Sequence, residues 1–279
     1  MYDYHTHTNF SDDCIATPDE MIQRAISLGF KEYAITDHYD PDYPTFEFEI
    51  DAPLYHAALL ELEEKYKEHI RIVKGIEIGI QHGATAIKCE KEASSFPYDF
   101  IIGSFHCMHG DDLYLMDYEK YDPAKIFPIY YEYCLNCLDG FMNFNVLGHI
   151  NVIDRYVNSI AYFQQPGVPY FASDNFNKGY KDSMEIIEAI FSKLIKNDKG
   201  IEINTSHIRY NLLPRTVPTK EILSLYKQLG GEILTIGSDS HLPVNIGDGF
   251  AEARELAKSV GFRYLSTFKE RQVTFVPIE

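Results

Sequence analysis

The segment DYHTHTNFSDDC, Asp3 to Cys14, places two histidines one residue apart and follows them with two adjacent aspartates. On an extended chain the side chains at i and i+2 share a face, so His5 and His7 point the same way. Two imidazoles and a carboxylate aimed at one point form a metal-ligand set. Far along the chain GSDSH repeats the device, with Asp239 and His241 again two residues apart.

Between these ends, polar residues fall where apolar runs stop. KEYAITDH ends in Asp37-His38, DFIIGSFH in His106 and GIEINTS in Ser206, FNVLGHI carries His149, and Glu77 lies inside the apolar run VKGIEIGI. If these runs are strands of a parallel barrel, their C-terminal ends open on one face. His5, His7, Glu77, His106, His149, Asp239 and His241 then converge. One histidine at a strand end is ordinary. Burying this many ionisable groups together is costly unless cations share the space. The donors are nitrogen and oxygen only, which suits Zn, Mn or Fe(II) and not a soft-metal or iron–sulfur site. Their number exceeds the need of one tetrahedral ion. Two or three divalent ions fit, with Glu77 and Asp239 as bridging candidates. Among the other histidines, His56 and His69 read as solvated on a helix, and His82, His109 and His207 as loop residues near the site.

Clustered ions can supply hydroxide at neutral pH and polarise a phosphoryl oxygen. A phosphate ester also needs organic cations. Arg155 follows His149 in GHINVIDR, and Arg209 follows Ser206 in INTSHIR. Both can offer a planar two-pronged fork to a phosphate monoester, with Ser206 beside them. Lys178, Lys181 and Arg215 are weaker rivals. The reaction this implies is monoester hydrolysis: hydroxide held by metal attacks phosphorus in line, Arg155 and Arg209 stabilise the equatorial oxygens, and His109 or His207 supplies a proton to the leaving group. The residues leave that last choice open.

Something must hold these groups in place. Strand-like runs alternate with amphipathic stretches from end to end, which predicts a parallel sheet. About seven such runs point to a closed or nearly closed barrel. The alternative, an open doubly wound sheet, expects a glycine-rich turn after the first strand, and HTHTNFSDDC has no glycine. TPDEMIQRAISLGF is a well-punctuated helix, with Thr17 as cap, Pro18 in the first turn, Glu20 completing a capping box and Gly29 at the end. Further helices are expected over DAPLYHAALLELEEKYKEH, DPAKIFPIYYEYCLNCLDG, DSMEIIEAIFSKLIKND, PTKEILSLYKQLGG and GFAEARELAKSVGF. A closing strand pair follows, and the stretch around Pro166-Gly167-Val168-Pro169 is long enough to cover a site.

The chain has 279 residues, ordinary for one α/β barrel, and 45% of them are hydrophobic, enough for a full core. One domain over 1–279 is expected. A net charge of −17 argues against nucleic acid as a partner. No apolar run is long enough for a membrane span and no leader pattern precedes the first strand, so cytoplasmic residence is expected. The five cysteines are scattered. Cys134 and Cys137, despite redox-like spacing, read as buried helix residues.

Taken in order, HTHT with SDD behind it, ITDH, GIE, GSFH, GHI and GSDSH resemble the polymerase-and-histidinol-phosphatase (PHP) superfamily across nearly the whole chain. The resemblance implies a distorted (β/α)7 TIM-like barrel with a trinuclear site at the strand C-termini. One ion would take His5, His7, Glu77 and Asp239. A second would share Glu77 and add His106 and His149. A third would take Asp12, His38 and His241, with Asp37 behind the ligands. GHINVIDR and INTSHIR look most like the monofunctional histidinol-phosphate phosphatases of histidine biosynthesis, where the two arginines would clamp the phosphate of L-histidinol phosphate. An acidic or tyrosine-lined pocket would suit that substrate's ammonium and imidazole. The alternatives are a PHP-type phosphoesterase acting on another small phosphate ester or nucleotide, and a non-catalytic metal-binding module, which would be expected to lack ligands.

Overall fold

The alternating runs become strands and helices in the expected sequence. The computed structural model describes residues 1–45, 50–157, 172–210 and 216–279. In chain order these are β1 (Tyr2–Asp3), α1 (Pro18–Ser27), β2 (Glu32–Ile35), β3 (His38–Tyr39), α2 (Ala52–Tyr66), β4 (Arg71–Gly79), α3 (Ala84–Ala93) and β5 (Phe100–Ser104). A short pair, β6 (Cys107–Met108) and β7 (Asp111–Asp112), precedes α4 (Ile126–Cys137), β8 (Val146–Leu147), α5 (Ile153–Val157) and α6 (Asp174–Lys196). Then come β9 (Gly200–Asn204), α7 (Lys220–Gln228), β10 (Leu234–Gly237), α8 (Phe250–Val260) and a hairpin of β11 (Tyr264–Lys269) and β12 (Gln272–Pro277).

Local chemistry sets the helix starts. The Thr17 hydroxyl accepts from Glu20 N while Glu20 accepts from Thr17 N, closing the capping box on α1. Asp51, Ser173 and Thr219 cap α2, α6 and α7 by the same side-chain acceptance. Helix α6 begins well before the expected Asp182, because Ser173 provides the cap, and α4 begins at Ile126, later than expected. Helix α3 and the β6–β7 pair were not legible from periodicity. The segment 166–169 lies outside the described residues.

Seven strands lie parallel in the order β1-β2-β4-β5-β8-β9-β10, and β3 pairs beside β4 with His38 opposite Glu77. The outermost two are joined by backbone bonds: Tyr4 N to Ile236 O at 3.0 Å, Asp239 N to His5 O at 2.7 Å and His7 N to Ser240 O at 2.9 Å. That seam makes a nearly closed barrel and rules out the open sheet. Tyr4, Val73, Phe100, Ile102, Val146 and Phe268 fill the interior below the strand C-termini. Phe268 comes from the β11–β12 hairpin, which lies across the barrel floor and is tied there by Tyr4 Oη, which accepts from Phe268 N at 2.8 Å. All five cysteines are buried and free, Cys134 and Cys137 within α4 as expected. Among the described residues no helix is long and apolar enough to cross a membrane.

Candidate metal centre and active site

Glu77 stands at the centre of the open end of the barrel, fully buried. Its Oε2 lies 3.1 Å from His5 Nε2, 3.1 Å from His38 Nδ1 and 3.5 Å from His7 Nε2. Its Oε1 lies 3.0 Å from His149 Nε2 and 3.4 Å from His106 Nε2, and accepts from Ser104 Oγ at 2.5 Å. Asp239 Oδ1 is 3.5 Å from His7 Nε2 and 3.9 Å from His5 Nε2. The rings of His7 and His241 stack at 4.2 Å. Four groups of three can be drawn through these residues, each with ligand atoms within 4.8 Å of one another: His7-His38-His241, His5-Glu77-His149, His5-His7-Asp239 and His38-Glu77-His106. Eight of the nine expected ligands thus meet.

The residues fit metal ions on a direct test. His5 Nε2, His7 Nε2 and Glu77 Oε2 are buried and make no hydrogen bond. Buried polar atoms left this way are costly unless another partner takes them. The electrostatics are those of a set of opposite charges packed together. Burial would raise the Glu77 carboxyl, but His5, His106 and His38 hold it well below the usual carboxylate range. Burial would depress His5, but Glu202, Glu77 and Asp239 outweigh it and raise the ring well above its ordinary value. His7 is pushed down to about 3 by burial and by His241 and His38, so it stays neutral, the form that ligates.

The ninth expected ligand, Asp12, is not among them: Asp12 and Asp13 are both exposed, and it is Asp13 that reaches the rings. Asp13 Oδ2 lies 3.1 Å from His241 Nε2 and 3.7 Å from His38 Nε2. Burial would raise its carboxyl, but His38 and His241 hold it well below the ordinary range. The turn closed by Cys14 N and Ser11 O sends the two neighbouring side chains different ways. Spacing alone does not say which one turns inward.

Behind the ligands stand acids that sequence reasoning missed. Glu202, on β9, accepts from His5 Nδ1 at 2.7 Å and from His149 N at 3.0 Å. With Nδ1 donating to Glu202, it is Nε2 that turns to the centre, where the neutral ring would offer its lone pair to a cation. Asp40 does the same for His106, accepting from Nδ1 at 2.7 Å. Two glycines make room for these acids. A Cβ at Gly79 would meet Asp40 Oδ1 at 1.8 Å, and one at Gly237 would meet Glu202 Oε1 at 2.2 Å. Both acids carried a readable signal: Glu202 is a carboxylate inside an apolar strand, as Glu77 is, and Asp40 is two residues from His38. Asp37, next to His38 and buried, accepts from Thr8 N, Thr8 Oγ1 and Ser11 Oγ.

A cavity of about 330 Å³ opens beside the cluster. His38, His106, His149, His241, Asp13 and Asp239 form its floor, and Arg155 one wall. The Arg155 guanidinium donates to Asp239 Oδ2 at 2.7 Å and to Ser206 Oγ, and it stacks on the Tyr210 ring at 4.5 Å. Ser206, expected to touch substrate, is fully buried and braces Arg155 instead. Arg209 also departs from expectation. It does not line the cavity, and donates to Ser238 O at 2.6 Å and Asp239 O at 2.8 Å, holding the backbone that presents Asp239 at φ +54°. Neither expected proton donor lines the cavity. His109 is exposed against Tyr133, and His207 is buried, donating from Nδ1 to Asn204 O at 3.2 Å. Lys178 and Lys181 are exposed, and Arg215 lies outside the described residues. His56, expected to be solvated, is partly buried against Tyr98 Oη at 2.8 Å and Glu92. Tyr43, Tyr114, Tyr156 and Asp112 complete the lining. Asp112 is buried and accepts from Thr45 Oγ1 at 2.9 Å and Tyr114 N at 2.7 Å.

Comparison with known proteins bears on this geometry. Residues 3–206 match the PHP domain model. The chain belongs to the PHP domain family. Among relatives of this PHP protein, a histidinol-phosphatase of Lactococcus lactis subsp. lactis is 30% identical over 97% of the chain and 95% of that protein. A probable histidinol-phosphatase of Clostridium acetobutylicum is 30% identical over 94% of the chain and 95% of its own length. The crystal structure of the Lactococcus lactis histidinol phosphate phosphatase, complexed with zinc, L-histidinol and phosphate, superposes with a TM-score of 0.80 at 26% identity, covering 98% of each chain.

Proposed function

We propose that this PHP protein hydrolyses a phosphate monoester at the strand C-termini, and that the ester is L-histidinol phosphate. The observation that carries the reading is the cavity itself. It brings a metal-type cluster around Glu77, Arg155, Asp112 and several tyrosines into one lining. The similarity to histidinol phosphatases over nearly the whole chain supports the same substrate.

The residues divide the work. His5, His7, Asp13, His38, Glu77, His106, His149, Asp239 and His241 would hold two or three divalent ions, with zinc, manganese and iron all suited to the donors. Bound there, such ions lower the pKa of water and polarise a phosphoryl oxygen. Arg155, desolvated and fixed by Asp239, Ser206 and Tyr210, offers its fork to the equatorial oxygens of the ester. Arg209 acts at one remove, by bracing the Asp239 backbone. In the same lining, Asp112 would receive the ammonium or imidazolium of the substrate, and the tyrosine rings would flank that charge. Five free, buried cysteines support a reducing, cytoplasmic setting. The charge of −17 argues against nucleic acid as the substrate. We read residues 1–279 as one catalytic unit serving histidine biosynthesis.

Steady-state phosphate release by metal-reconstituted protein tests the reading. L-histidinol phosphate is to be compared with sugar phosphates, nucleotides and an aryl diester. The expected result is a kcat/KM for histidinol phosphate on the order of 10⁴ M⁻¹s⁻¹ or more, far above the others. Preference for a different monoester would keep the hydrolase and overturn the substrate. No turnover of any ester would overturn both.

A further inference from the structure

The barrel has a second concavity, at the end away from the metal centre. Residues that precede strands line it: Asn143 and Asn145 before β8, Lys199 before β9 and Ile233 before β10. The β11–β12 hairpin overhangs it. The cleft measures about 810 Å³. That falls within the roughly 300–1,000 Å³ of small-molecule sites.

Its charges are arranged unusually for so acidic a chain. Arg271 donates only to neutral acceptors, Asn143 O at 3.1 Å and Asn143 Oδ1 at 3.2 Å, and its Nε is buried without a partner. The Lys199 backbone N–H donates to Leu194 O at 2.9 Å, while its side-chain amine makes no ion pair or hydrogen bond among the described residues. Burial pushes the Arg271 guanidinium down to about 10, and burial followed by the nearness of Arg271 lowers the Lys199 amine. Glu90, held by Asn143 Nδ2 at 2.9 Å, lies near both cations and partly offsets their repulsion, and two further acids, Asp198 and Glu232, border the cleft. Glu232 reaches Lys227 at 4.0 Å, and neither it nor Asp198 forms an ion pair with Lys199 or Arg271. Two like charges brought together and partly desolvated repel one another, and an anion between them would relieve that cost. Asn145, Asn197 and Gln272 add neutral polar groups to the lining, and an apolar patch lies on one side. Val273 and Phe275 turn toward the cleft while 37% and 43% exposed, with Tyr226 and Phe268 beneath.

We propose that this floor cleft binds a small organic anion, a carboxylate, sulfonate or phosphate group on an apolar body, with Lys199 and Arg271 on the charge and the hairpin residues on the body. A guanidinium fork beside a point-charge ammonium suits an oxyanion. The site is separate from the reaction centre and does not depend on the substrate read there.

Fluorescence titration of the metal-loaded protein with 8-anilinonaphthalene-1-sulfonate tests this, since the probe carries a sulfonate on aromatic rings and no hydrolysable ester. One saturable site is expected, undiminished by inorganic phosphate. Lys199→Gln should weaken it about tenfold, and Lys199→Glu more, because a charged contact is lost and then reversed. Arg271→Gln should do likewise. The Lys199 side chain holds no structural hydrogen bond, so its variants keep the test valid should the Arg271 variant fold poorly. Hydrolysis of an aryl phosphate should stay within about twofold throughout. Absence of saturable binding, equal binding by the Lys199 variants, displacement of the probe by phosphate, or loss of binding as the protein self-associates would each overturn the proposal.

Discussion

Replacing Glu202 with Gln changes one oxygen to an amide nitrogen in a fully buried place. The carboxylate now serves three donors: His5 Nδ1 at 2.7 Å, His149 N at 3.0 Å and Asn204 Nδ2 at 3.2 Å. A glutamine has one acceptor oxygen. If that oxygen stays with His5, the new NH₂ faces the N–H groups of His149 and Asn204, and a buried donor is left unpaired at a cost of about 1–3 kcal/mol. If the amide turns over, the NH₂ faces His5 Nδ1. The His5 proton must then move to Nε2, which removes the lone pair aimed at the centre. Removing such a partner typically weakens metal affinity about 10–100-fold, roughly 1.4–2.7 kcal/mol. The assay is metal content, by elemental analysis, after equilibration against a graded chelator series, with near-UV circular dichroism to confirm the fold. The chelator midpoint should move by one to two decades. A metal-occupancy curve that superposes on that of the unaltered protein would falsify the orienting role of Glu202.

Arg209→Ala should reduce metal occupancy as well as kcat, on the order of tenfold, because it releases the Ser238 and Asp239 carbonyls. A variant fully loaded with metal but raised in KM would return Arg209 to the phosphate. Asp13→Asn should lower metal content or kcat about 10-fold or more, while Asp12→Asn at its exposed position should stay within twofold. The reverse order in elemental analysis and rate would restore Asp12 as the ligand. Asp112→Asn should cut kcat/KM for histidinol phosphate by about 10–100-fold and leave an aryl phosphate, which has no cationic group, nearly untouched. Equal losses on both esters would show that Asp112 serves the loop and not the substrate.

The barrel could be read from the chain because each strand announces itself as an apolar run, and each helix carries a cap or an amphipathic face. The eight residues that meet around Glu77 were legible for a related reason: a histidine or an acid at the end of an apolar strand conflicts with burial unless something receives it. What was not legible depended on direction. Asp12 and Asp13 are adjacent and chemically identical, and only the turn decides which faces His241. Ser206 and Arg209 were correctly placed near the site by the strand before them, yet sequence proximity says nothing of whether a guanidinium points into a cavity or at a carbonyl behind it. Glu202 and Asp40 obeyed the rule that exposed Glu77. The histidines at the strand ends obscured them.

The seam that closes the barrel joins β1 to β10, and the ligands divide across it. His5 and His7 lie on one side, Asp239 and His241 on the other. His38, Glu77 and His106, by contrast, all come from the first half of the chain. A ribosome therefore finishes one group of three before the others, and those that need the last barrel strand must wait until the ends of the barrel meet. Contacts this distant in sequence are slow to form. The order of synthesis would set an order of assembly: His38-Glu77-His106 is complete first, His5-Glu77-His149 next, and only the two groups that use Asp239 or His241 wait for the barrel to close.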